Sequence, residues 1–226
     1  MAAIADNLQV VRTRIEAAAR AAGRDPRAVT LLAVSKTHAA ARVGEAAAAG
    51  QRAFGENYVQ EAVEKIDSVP GLEWHLIGPL QSNKTREAAE RFDWVQTVAN
   101  EKIARRLSEQ RPAGLAPLNV LIQVNASGEA SKSGVAPAAA AALAAQISRF
   151  GNIRLRGLMA VPEPGAPRER FAEINDLYEK LRGEFALDTL SMGMSDDMEL
   201  AIAEGSTMVR IGTLIFGERM KHKDAA

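Results

Sequence analysis

The sequence predicts a closed (β/α)8 barrel of the TIM type with an extra N-terminal helix, and three observations carry that expectation. Eight short apolar runs recur along 226 residues. A helical stretch or short helical turn follows each run. No break in composition marks a second domain, so residues 1–226 read as one unit. Alternation of strand and helix builds a parallel sheet, and eight such units favour closure; an open doubly wound sheet is the alternative.

The elements follow in order. Ile4, Leu8, Val11 and Ile15 recur at helical spacing, which predicts a helix over 1–22 lying on the domain. Asp6, Arg12, Arg14, Glu16 and Arg20 interrupt that segment, so it is no secretion signal. Strands are expected at 30–34, 53–56, 74–78, 94–98, 118–124, 155–161, 189–194 and 208–212. Helices are expected near 40–49, 57–67, 82–91, 100–110, 136–149, 168–183 and 196–204. The alanine-rich run 136–145 is too short and too weakly apolar to span a bilayer. Residues 220–226 read as a frayed tail.

Composition narrows the function. With 28 basic and 28 acidic residues the formal net charge is zero, which argues against a grip on nucleic acid or an anionic membrane. Hydrophobic residues make up 47% and aromatics 4%, so the core is built of Ala, Leu, Val and Ile. The chain has no cysteine, hence no disulfide, zinc–thiolate site or thiol nucleophile. Three dispersed histidines make no metal site. A soluble, cytoplasmic, monomeric protein is the expectation.

In such barrels chemistry sits at the C-terminal ends of the strands. There the sequence places Ser35-Lys36, Glu56-Asn57-Tyr58, His75 with Gly78-Pro79, Asn125, Pro162, Ser191 to Ser195, and Gly212-Thr213. All would converge in one mouth. Lys36 ends a buried strand, where desolvation disfavours the ammonium and makes a free amine available for a Schiff base with an aldehyde. The competing reading is a lysine that snorkels to solvent or pairs with Glu56. Strands seven and eight end in SMGMSDD and VRIGTLIFG, where these barrels commonly hold a phosphate at the start of a short helix. Gly193 and Gly212 allow close backbone approach, and Ser191, Ser195 and Thr213 offer hydroxyls. Aldehyde capture on one side and phosphate on the other match pyridoxal 5′-phosphate.

Several motifs then carry a resemblance over nearly the whole chain: LLAVSKTH, AFGENYVQEAVEK, WHLIGPLQSNK, VNASGEASKSGV, LRGLMAVPEP and SMGMSDDMELAIAEGSTMVRIGTLIFG. Together they resemble the pyridoxal phosphate homeostasis protein family, whose fold is similar to the barrel domain of alanine racemase. The resemblance implies that Lys36 holds the cofactor as a Schiff base, with Asn57 beside the ring. It implies a phosphate held around Ser191, Ser195, Gly212 and Thr213, and Arg210 facing the pyridine nitrogen. A guanidinium only donates, so that nitrogen stays unprotonated and the ring is a poorer electron sink. A structural salt bridge is the competing reading of Arg210.

Other residues read as structural. His75 is either an acid/base group or a satisfied core histidine, and His38 faces a helix start. Asp196 and Asp197 read as helix caps. Residues 127–134 read as a flexible loop after the fifth strand, whose Lys132 is expected to be solvated; contact with an anionic ligand at the mouth is the alternative. The resemblance implies a carrier or regulator of the cofactor, passing it to apo-enzymes, with no catalytic residues. An amino-acid racemase or decarboxylase is the alternative. Racemisation needs groups on both faces of the cofactor, and the additional β-domain that supplies one in alanine racemases is not expected here.

Overall fold

A computed structural model describes residues 3–127 and 133–217. The expected tail at 220–226 and Lys132 lie outside the described residues. The strands are β1 (Thr30–Val34), β2 (Ala53–Glu56), β3 (Glu73–Leu76), β4 (Trp94–Val98), β5 (Leu118–Val124), β6 (Ile153–Ala160), β7 (Thr189–Ser191) and β8 (Met208–Ile211). The α-helices are α1 (Ile4–Ala21), α2 (Ala40–Ala48), α3 (Val59–Ser68), α4 (Thr85–Arg91), α5 (Glu101–Gln110), α6 (Ala140–Ile147), α7 (Arg168–Phe185), α8 (Met198–Ala203) and α9 (Thr213–Phe216).

Every neighbouring strand pair is parallel, and β1 pairs with β8 from Thr30↔Met208 to Ala33↔Ile211. The sheet is a closed barrel, which rules out the open doubly wound alternative. Strand faces alternate as the pleat requires. On β8, Val209 and Ile211 pack outward into the large core shared with the helices. Met208 belongs instead to a small interior cluster with Leu32 and Ala53, and Trp94, Leu121 and Met159 form another. Arg210 shares the inward face with Met208.

Two strands end two or more residues before expectation, and β6 and β8 end one residue early. β7 stops at Ser191, not at residue 194, because Gly193 turns the chain at φ +97°. β3 stops at Leu76, two residues early, just before the Gly78-Pro79 bend. There a Cβ on Gly78 would lie 2.1 Å from the Asn57 carbonyl oxygen, so only glycine lets the two chains pass.

Helix α1 buries Ile4, Leu8, Val11, Ile15 and Ala19 against α2, α8 and α9. Its polar side is also tied down: Asn7 Nδ2 donates to the Ile215 carbonyl at 2.9 Å, and Arg14 pairs with Glu199 at 2.7 Å. The helix therefore braces the segments that follow β7 and β8 from behind.

Candidate functional site

At the C-terminal end of the barrel lies a cavity of about 220 Å³. Lys36 and His38 enter it from the turn after β1, and Met194, Ser195 and Asp196 from the turn after β7. Arg210 rises from β8, with Gly212, Thr213 and Gly217 beyond it, and Val34 and Ile77 supply apolar wall. Lys36 is half-buried. The His38 ring stacks on Phe216, with centroids 5.1 Å apart, so it packs on α9 as well as lining the cavity.

The turn after β7 is tightly built. A Cβ on Gly193 would come within 2.5 Å of the Ala201 Cβ, so this position accepts only glycine. The Gly193 carbonyl accepts from the Arg210 amide at 3.0 Å, which ties the turn to β8. Asp197 was expected to cap α8, but its side chain makes no bond to the first-turn amides. Its carboxylate accepts instead from the Met194 amide at 2.5 Å and braces the turn that presents Ser195. Asp196 is exposed at the cavity wall.

Arg210 is 5% exposed. Its guanidinium donates to Ser191 Oγ and to the Ala160 carbonyl, each at 2.8 Å. Burial pulls its pKa down to about 10, which still leaves it charged at neutral pH. Among the described residues no carboxylate lies within ion-pair distance of it. The expected alternative, a structural salt bridge, is therefore not made.

The two serines of the SMGMS motif separate here. Ser195 lines the cavity, whereas Ser191 is fully buried within the barrel and does not. Ser191 Oγ donates to Gln96 Oε1 at 2.7 Å while accepting from Arg210. The Gln96 amide donates in turn to His75 Nδ1 at 2.9 Å, which leaves the imidazole proton on Nε2 facing Glu73 Oε1 at 2.8 Å. Each group in this chain donates to the next, from Arg210 down to Glu73. His75 is wholly buried and stacked on Trp94 with centroids 5.0 Å apart. Burial pushes its pKa below the ordinary value, and its bond to Glu73 holds that carboxyl low. His75 and Ser191 thus lie below the mouth, where inward-facing strand positions fill the barrel.

Beside Lys36 is a second polar cluster. Lys65 Nζ donates to Glu56 Oε1 at 2.7 Å, Glu61 Oε1 at 2.6 Å and the Ser35 carbonyl at 2.8 Å. Ser35 Oγ donates to Glu56 Oε1 at 2.6 Å. Glu56 is 0% exposed, and its cationic partner is Lys65, not Lys36. Burial raises the Glu56 pKa while Lys65 opposes the shift. Asn57 stands half-buried after β2 beside Gly78, outside the residues lining the cavity, and Tyr58 is 62% exposed. Lys65 and Gln96 were not foreseen. The signal for Lys65 was its place on the apolar stripe of α3 with Val59 and Ala62; for Gln96 it was an amide inside an apolar strand.

Among the described residues no group of His, Asp or Glu could hold a metal, and no helix is long and apolar enough to cross a membrane.

The model of the alanine racemase N-terminal domain family matches residues 1–220. A pyridoxal phosphate homeostasis protein of Pseudomonas aeruginosa is 60% identical over 226 residues, covering 97% of both chains. One of Escherichia coli K12 is 55% identical over 229 residues, covering 96% of this chain and 97% of its own. Among solved structures, PipY of Synechococcus elongatus PCC7942 with PLP bound matches at TM-score 0.81 and 38% identity, covering 95% of this chain and 100% of that one. With a site of this make-up on a barrel of this topology, the chain belongs to the alanine racemase N-terminal domain family and, within it, to the pyridoxal phosphate homeostasis proteins.

Proposed function

We propose that this protein binds pyridoxal 5′-phosphate and serves its homeostasis in the cytoplasm, as a carrier or regulator without catalytic turnover. One observation carries the reading. A lysine amine, a buried guanidinium with no carboxylate partner and the hydroxyls of Ser195 and Thr213 line one cavity. A buried cation with no ion-pair partner favours a ligand that brings an acceptor.

The cofactor, when bound, supplies an electrophilic aldehyde, a phosphate dianion and a ring nitrogen that accepts a hydrogen bond. Lys36 would hold the aldehyde carbon through its amine, while Ser195, Gly212 and Thr213 would hold the phosphate. Arg210 would donate to the ring nitrogen and keep it unprotonated. Asn57 would stand beside the ring, and Ser191 would act through Arg210 by anchoring its guanidinium. The relatives named for pyridoxal phosphate homeostasis and PipY with PLP bound support the assignment.

Support for a carrier comes from two placements. Tyr58 and His75, the groups that would have to serve a racemase, both lie outside the cavity wall. Arg210 would donate a hydrogen bond to the ring nitrogen without giving up its proton, which weakens the electron sink that carbanion chemistry needs.

Absorbance tests the proposal. Purified protein mixed with pyridoxal 5′-phosphate should gain a visible band that borohydride abolishes, with the added mass on Lys36. Incubation with L-alanine, L-serine, L-lysine or L-ornithine should give no D-isomer, amine or keto acid, while an apo-enzyme acceptor should gain cofactor. A protein that stays colourless sinks the binding reading. Sustained turnover at about 1–1000 per second, lost in Lys36→Ala, would restore the enzyme.

A further inference from the structure

The turn that carries Lys36 contains a strained neighbour. Thr37 sits at φ +67°, in the left-handed region that β-branched residues avoid. Such backbone persists only where its surroundings over-determine it. Here the surroundings are the Lys65 cluster. The Thr37 amide donates to Glu61 Oε1 at 2.5 Å, and the same oxygen accepts from Lys65 Nζ at 2.6 Å. Lys65 then reaches the Ser35 carbonyl and Glu56 Oε1, so all three of its N–H donors are engaged. Residues 35 and 37, on either side of Lys36, are therefore fastened to one ammonium that is itself 4% exposed. None of Glu56, Glu61 and Lys65 lines the cavity.

We propose that Glu61 and Lys65 are positioning residues for Lys36. They hold Thr37 in its left-handed turn and so keep the Lys36 amine presented to the cavity. A cluster that served only to pin α3 on the barrel would have no need of strain in the turn next to the lysine. Holding residues 35 and 37 from the rear leaves the cavity side of the turn to Lys36 and His38. The proposal rests on the reading of Lys36 as the residue that captures an aldehyde.

The test uses the full chain with pyridoxal 5′-phosphate as the probe, following growth of the visible band and borohydride-fixed mass on Lys36, with urea midpoints in parallel. Glu61→Ala should slow capture by about 10- to 100-fold, the scale of loss when a reacting group is misplaced by about 1 Å. Its urea midpoint should move little. Glu61→Gln keeps an oxygen for the Thr37 amide and should react near the wild-type rate. Adding Thr37→Gly to Glu61→Ala should restore most of the rate, because glycine enters positive φ without steric cost. Capture by Glu61→Ala at the wild-type rate, or a double variant as slow as the single, overturns the proposal. If Glu61→Ala does not fold, Glu61→Gln decides: loss of capture in that folded variant also overturns it. A wild-type chain with no added mass on Lys36 would instead remove the functional reading beneath it.

Discussion

Two cations are buried at the mouth end of the barrel, and the protein surrounds them in opposite ways. Lys65 is 4% exposed and meets two carboxylates and a carbonyl, which satisfy every hydrogen it has. Arg210 is 5% exposed and meets only a hydroxyl and a carbonyl, both uncharged. Desolvating a cation costs several kcal/mol unless a counter-charge offsets it. Glu56 and Glu61 offset it for Lys65. Among the described residues no carboxylate lies within ion-pair distance of Arg210; Asp197 attracts it only from further off, and burial still draws its pKa down to about 10. A neutralised cluster is complete as structure, whereas a guanidinium without an ion-pair partner at a cavity wall is the feature on which the proposed ligand reading rests.

Stability measurements should break or sharpen this contrast. The largest effect is expected from Lys65→Met, which strands Glu56 as a buried carboxylate and should lower unfolding free energy by about 3–5 kcal/mol. Arg210→Met strands no charge and should cost about 1–3 kcal/mol in the protein without cofactor. Equal losses in urea unfolding would show that the two cations are not different in kind.

Ligand affinity gives the next effects. Thr213→Ala or Ser195→Ala removes one donor to an anion and should weaken pyridoxal 5′-phosphate binding by about 1.5–3 kcal/mol. Pyridoxal lacking the phosphate should bind far more weakly than the ester, and equal affinities would put the anion site elsewhere. Ser191→Ala, which loosens Arg210 without touching the cavity, should cost only about 0.5–1.5 kcal/mol in stability. If it weakens phosphate-ester binding as much as Thr213→Ala does, Ser191 belongs to the cup after all.

The smallest effect is a pH slope. Burial holds His75 below its ordinary pKa of 6.5, so as pH falls below that value the unfolded chain gains a proton that the folded chain resists. The stability contributed by neutral His75 is present above 6.5 and is lost as pH falls towards the folded value. Glu73, also held low, adds a loss of the same sign in the acid range below 4.5. Melting temperatures between about pH 7.5 and about pH 5 should fall in the wild type and fall less steeply in His75→Leu. Parallel slopes would show that His75 titrates normally in the fold.

The barrel was legible because parallel strands are buried on both faces and read as apolar runs. β1, β2, β4 and β5 match expectation to the residue. The end of β7 did not, since a glycine can continue a strand or turn it and only the φ at Gly193 decides. Lys36, Ser195, Arg210, Gly212 and Thr213 reach one cavity because strand ends must converge in a closed barrel. Ser191 on β7 and His75 on β3 also face inward, but they lie below the mouth, in the barrel interior. Lys65 was hidden for another reason. A lysine on a helix ordinarily reads as solvated, and its carboxylate partners come from β2 and from one turn earlier on α3.

The cavity also has a history in time. Lys36 follows β1 and Arg210 lies on β8, while Asn7 of α1 bonds Ile215, 208 positions along the chain. At ribosomal rates of about 5–20 residues per second, the first strand waits on the order of 10–40 s for its partner. During that interval β1 is an open sheet edge and Lys36 stands on a turn with no opposite wall. A nascent chain therefore has no closed cavity, and the pocket is complete only after synthesis has carried β8 into the barrel.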